Sequence, residues 1–175
     1  MPKLCKSDLR ILNIASQILT LDNYNILTSS GTCKTVALIK CQICHSDRSP
    51  VTVDKLFENL HNVEEFAMIE PEKVFQTDTV KNMVQIFQRL SKLRYVKFDG
   101  ITENFDFSSI SDFLMKNETI MFNLFFNVPT NGYKQMLENF IDKLMKNPPK
   151  VMPYIWFPGF DNVRFKEYII IAACL

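Results

Sequence analysis

The sequence predicts an α/β fold built from irregular, leucine-rich-repeat-like helix-strand units whose strands pair in parallel. Three observations predict it: a self-similarity at a period of about 30 residues, an apolar spacing that changes from helical to extended inside each copy, and a composition suited to a single packed core. Val53, Leu56, Phe57, Leu60, Val63, Phe66 and Met68 overlie Met83, Ile86, Phe87, Leu90, Leu93, Val96 and Phe98 without a gap. The first half of each copy places apolar residues at i, i+3, i+4 and i+7, the stripe of an amphipathic helix. The second half alternates, as a half-buried strand does. Such a unit cannot bury its apolar face alone, so successive units are expected to stack, with strands side by side and helices outside. At 175 residues, with 47% apolar and 22% charged residues and 4 glycines, the chain is long enough for one domain and too apolar to stay disordered.

Taken in order, Ser7 as N-cap followed by Leu9, Leu12, Ala15, Ile18 and Leu19 predicts a capping helix, so residues 1–32 form an N-terminal cap and linker. Residues 33–175 then form the repeat region of the same domain. The strand half of a first unit is seen where Cys33, Val36, Ile39 and Cys41 take the spacing of Leu60, Val63, Phe66 and Met68. A turn is expected over residues 45–50, which end in Pro50. Helices are expected over 53–60 and 83–90, each leading into a strand at 66–68 and 96–98. Downstream, 108–116 reads as a short helix, 118–126 as a strand and 133–145 as a helix that Pro148 and Pro149 stop. Residues 151–157 carry Pro153 and are expected at a sheet edge, because proline donates no ladder hydrogen bond. The apolar run 168–175 predicts a buried terminal strand or a face that needs a partner.

Charge and targeting signals narrow the function classes. Lys plus Arg number 20 and Asp plus Glu 19, a net charge of +1, which leaves no surplus to hold a phosphate backbone. Lys3, Lys6, Asp8 and Arg10 interrupt any signal-peptide core, and the run 168–175 is far shorter than the roughly 20 residues that span a bilayer. An intracellular, cytoplasmic protein with neither nucleic acid nor membrane as partner is expected, its five cysteines reduced.

The residues that carry chemistry are few. Cys41, Cys44 and His45 spell C-x-x-C-H, the attachment signature of c-type haem, but Cys41 also falls on an apolar position of the repeat, where a cysteine acts as a small hydrophobe. A zinc site would use Cys41 and Cys44 with His45 or His61, and Cys33 besides; no second C-x-x-C accompanies them. No nucleophile elbow, Walker loop or GxGxxG is present, so no catalytic residue, cofactor or metal is assigned. Glu64, Glu65, Glu70 and Glu72 read as a solvated acidic face. Asn117 and Thr119 form a sequon, expected to be idle without secretion.

The spacing Leu90, Leu93, Val96, Phe98 and the Phe- and Asn-rich composition resemble the substrate-side region of the large nematode F-box protein families, which carry leucine-rich-like or FOG-2-homology regions. The likeness covers roughly residues 33–160. It implies a region that binds a protein partner. The residues before Cys33 hold no Leu-Pro-led F-box segment, so the binding region carries over and the link to a ubiquitin ligase does not.

Alternation assigns the binding surface. With Phe66, Met68, Val96 and Phe98 inward, Glu65, Ala67, Ile69, Tyr95, Lys97 and Asp99 face the other way, joined by Leu38, Lys40 and Gln42 on one side and Met121, Asn123 and Phe125 on the other. A face that mixes aromatic, aliphatic and charged side chains suits a protein interface. The expected function is non-catalytic protein binding; the rival is a small zinc or redox protein.

Overall fold

The computed structural model describes residues 8–71 and 74–174. Six strands, β1 (Ile11–Ala15), β3 (Thr35–Ile39), β5 (Glu65–Ile69), β6 (Tyr95–Ile101), β7 (Met121–Phe126) and β8 (Tyr154–Trp156), form one sheet. They lie in chain order and every neighbouring pair is parallel. This is the stacked arrangement that a repeat of helix and strand produces. A second, two-stranded parallel sheet pairs β2 (Ile18–Thr20) with β4 (Gln42–Cys44).

The register shows what each repeat contributes. Leu12, Val36, Phe66, Val96 and Phe122 form one inward row, and Ile14, Leu38, Met68, Phe98, Leu124 and Ile155 the next. Behind these rows lie α1 (Leu21–Thr28), a 3-10 turn (Val53–Phe57), α2 (Thr79–Phe87), α3 (Ser108–Lys116) and α4 (Asn131–Lys146). Phenylalanines join the layers: Phe57 lies 4.4 Å from Phe66 and 5.6 Å from Phe87, Phe75 lies 5.0 Å from Phe105, and Phe107 lies 5.0 Å from Phe140, ring centre to ring centre.

Polar contacts between equivalent positions hold the units in step. Just before the strands, Lys34 Nζ lies 2.6 Å from Glu64 Oε1, and Arg94 Nη2 reaches Glu64 Oε2 at 3.3 Å and Glu65 Oε1 at 2.9 Å. At the far end, Ser16, Lys40 and Glu70 turn left-handed, with φ of 54°, 52° and 52°. Their N–H groups donate to Ile39, Ile69 and Asp99 carbonyls at 2.8, 2.9 and 2.7 Å. The fourth member of this ladder is Gly100, at φ 90°, and a Cβ there would come within 3.1 Å of the Glu70 backbone.

Several expectations need correction. The N-terminal segment is no capping helix: Leu12 and Ile14 continue the inward rows from β1, Ile18–Thr20 is β2, and residues 21–28 form α1; Ser7 lies outside the described residues. Leu9, Leu12, Ile14 and Leu19 all pack on the common core, so the segment before Cys33 is a repeat and not a linker. Residues 53–60 make only a 3-10 turn, with Leu56, Phe57 and Leu60 buried all the same. Burial rewards the apolar side chains in either geometry, and so the spacing did not separate them. The C-terminal run is α5 (Asn162–Ala173) rather than a strand. Asp161 caps it by accepting from the N–H groups of Val163 and Arg164, and Tyr168 is buried with its hydroxyl on the Pro153 carbonyl.

The first unit was also expected three residues out of register. Val36 pairs with Phe66 and Leu38 with Met68. An odd slip moves a strand's inward set to the other face, which is why Leu38 is a core residue, 1% exposed, and Ile39 faces outward. In the true register Leu9, Leu12, Ile14, Gln17 and Leu19 lie over Cys33, Val36, Leu38, Cys41 and Ile43. That is the eleven-residue leucine-rich-repeat spacing, with Cys41 in the slot that takes Asn or Cys.

Candidate functional site

One face of the main sheet is packed on the helices and the other is open. Three rows cross the open face. Ile11, Thr35, Glu65, Tyr95 and Met121 form the first, Asn13, Ala37, Ala67, Lys97, Asn123 and Tyr154 the second, and Ala15, Ile39, Ile69, Asp99, Phe125 and Trp156 the third. Each of these residues is exposed or half-buried, whereas nearly all their alternates are buried.

Glu65, Ile69, Tyr95, Lys97, Asp99, Met121, Asn123 and Phe125 therefore lie together where alternation placed them. Three others do not. Leu38 is in the core, Lys40 is the left-handed residue after β3, and Gln42 belongs to the second sheet. Thr35, Ile39, Tyr154 and Trp156 belong to the face and escaped the sequence reading. The buried Ile155 and Phe157 alternate with Tyr154 and Trp156, but Pro153 obscured the pattern.

The charges on this face are largely satisfied within it. Lys97 Nζ sits 3.2 Å from Asp99 Oδ2 and 4.9 Å from the centre of the Phe125 ring, so it bridges the acidic and aromatic parts. Asn123 Nδ2 donates to the Tyr95 hydroxyl at 3.0 Å. Phe125 lies 5.3 Å from Tyr154, which meets Phe165 of α5 at 5.8 Å. At the rim, the Lys34 ammonium bonded to Glu64 holds that carboxyl below the usual carboxylate range. The result is a surface of aromatic and aliphatic side chains with paired charges. Helix α5 lies at one end of it: Ile169, Ala172 and Ala173 face Met121 and Tyr154 across an apolar groove of about 490 Å³.

The cysteines and histidines are arranged otherwise. The Cys41 thiol donates to the carbonyls of Ile14 (3.2 Å) and Ile39 (3.3 Å), which ties the first two repeats together. Cys44 donates to Leu19 at 3.4 Å and Cys33 to Thr35 at 3.4 Å. All three are buried, and burial raises the Cys33 thiol above its ordinary range. His45 and His61 are exposed. Among the described residues no three His, Cys, Asp or Glu side chains are grouped as a metal ion requires. Of the acidic cluster, Glu64 and Glu65 pair with Arg94 and Glu70 with Lys40 (3.2 Å), while Glu72 lies outside the described residues. Asn117 of the sequon is buried and closes the turn before β7, accepting from the N–H of Ile120 at 3.0 Å. No helix among the described residues is long and apolar enough to cross a membrane.

In comparisons with family models, curated proteins and solved structures, the chain matches none.

Proposed function

We propose that this chain is a non-catalytic interaction module that holds another protein against the open face of its sheet, as the substrate-binding region of an F-box-like adaptor does. One observation carries the reading. Parallel sheets are ordinarily covered on both faces, yet here helices cover one face and α5 lies only at the β7–β8 end of the other. The open face presents Tyr95, Met121, Phe125 and Trp156 among alanines and isoleucines, with charges already paired, so a partner can bury it without stranding a free ion. Repeat proteins use such extended sheet surfaces for binding.

The test is recovery of a partner by the tagged chain from cells of its own source, compared with a Tyr95→Ala, Phe125→Ala variant. The double change removes the Asn123 hydrogen bond, the Phe125–Tyr154 aromatic contact and the Lys97 cation–π contact, about 1 kcal/mol each. A typical reserve of about 5–15 kcal/mol tolerates that loss. Capture is expected to fall more than tenfold in the folded variant and to persist in Lys143→Ala on the helix side. Equal capture by all three would refute the reading.

A further inference from the structure

The two end strands of the main sheet, β1 and β8, each pair on one side only among the described residues, and their outer edges are built differently. β8 has three residues and directly follows Pro153. A short strand beside a proline is a poor template for further pairing. β1 has five residues, Ile11, Leu12, Asn13, Ile14 and Ala15, with neither charge nor proline. Its ladder to β3 shows which main-chain groups stay free. The Arg10 carbonyl accepts from the Thr35 N–H at 3.1 Å, and the Ser16 N–H donates to the Ile39 carbonyl at 2.8 Å. Main-chain groups alternate sides along a strand, so Leu12 and Ile14 also bond towards β3. The N–H and C=O groups of Ile11, Asn13 and Ala15 therefore point off the sheet. Donors and acceptors repeat there at the pitch of an extended chain, and another strand is their chemical complement.

The order of the side chains singles out a second copy as that strand. Laid antiparallel on itself about Asn13, β1 sets Ile11 opposite Ala15, Asn13 opposite Asn13 and Ala15 opposite Ile11. Each of these pairs can exchange both of its N–H···O bonds, because all three residues carry the outward groups. Leu12 of one copy then faces Ile14 of the other on the inward side. The half-buried Ile14 gains on its bare side the kind of neighbour that Leu38 gives it on the other. On the open face Ile11, 66% exposed, meets an alanine. Arg10 falls opposite Ser16, so like charges do not meet. A slip by one residue turns bonded groups towards the free edge, and a slip by two in either direction loses one of the bonded pairs.

We propose that β1 is a dimerisation edge, on which a second copy of this chain adds antiparallel about a twofold axis through Asn13. The two main sheets join into one, and the contact closes at two copies because each copy offers the same single edge. A strand pair is a small interface, so sedimentation equilibrium of the intact chain is run at up to about 0.5 mM. The mass is expected to approach twice 20.4 kDa. Asn13→Lys and, separately, Asn13→Asp each set like charges face to face across the axis from an exposed position. Each is expected to sediment as a monomer with an unchanged circular dichroism spectrum. Mixed in equal amounts, the two variants are expected to recover the dimer, since opposite charges then meet. Tyr95→Ala, Phe125→Ala should stay dimeric, which separates this edge from the open face. A monomeric parent, a dimer indifferent to both Asn13 changes, a mixture that stays monomeric, or growth beyond two copies overturns the proposal. Loss of the dimer in the open-face pair alone overturns it too.

Discussion

Replacing Leu38 by alanine, and separately Ile39 by alanine, tests which way the strands face. The two residues are adjacent in β3, both aliphatic and of equal size, and only the sheet separates them. Leu38 is 1% exposed and paired in register with Ile14 and Met68, at the centre of an inward row. Truncating a leucine so placed removes its buried methyl groups and leaves a void, which costs about 3 kcal/mol. For a chain of this length that lowers Tm by about 6–12 °C. Ile39 lies half-buried on the open face beside Ile69, so its truncation leaves little void and should cost about 1 kcal/mol or less. Urea denaturation followed by far-ultraviolet circular dichroism gives both values, and unchanged m-values would keep the comparison two-state. Equal losses, or a larger loss at Ile39, would mean that β3 is reversed. The inward rows, the open face and the proposed docking surface would then fall together.

The cysteines and acid stability give two further expectations. In the folded chain at pH 8, iodoacetamide should modify the exposed Cys174 and spare Cys33, Cys41 and Cys44 until urea is added, as read by peptide mass spectrometry; rapid native modification of Cys41 would contradict its two carbonyl bonds. Asp106 accepts from the Ser108 and Ser109 hydroxyls at the start of α3, and these donors hold its carboxyl below the ordinary aspartate range. A depressed carboxylate contributes stability above its unfolded pKa of about 3.9 and loses it as pH falls through the folded value. Asp106→Asn should therefore lose less stability than the parent between about pH 5 and pH 2 in denaturant titrations; parallel pH profiles would show that the interaction is absent.

Where local pattern and burial agree, the elements could be read from the residues. Helix α3 and strands β5, β6 and β7 were legible because their apolar spacing matched one period over a full element. At the N-terminus, Leu9, Leu12, Ala15, Ile18 and Leu19 fit a helical stripe, while Leu9, Leu12, Ile14 and Leu19 fit a leucine-rich strand repeat. The neighbouring strand β3 decides between them by supplying the partner ladder. The terminal run misled for the converse reason: its apolar density says that something is buried, but Asp161 as cap and the seat of Tyr168 against Pro153 make it a helix.

The amino-acid order by itself determined the period, the parallel α/β repeat class and eight of the open-face residues, because a spacing of 30 and an alternation of two are written in the chain. Only the tertiary structure decided the register of the first repeats and the exchange of Leu38 for Ile39. The physical reason is that a strand carries its own periodicity but not its partner's alignment. Register is fixed by hydrogen bonds and packing between segments about thirty residues apart, and a slip of an odd number of residues reverses every side chain.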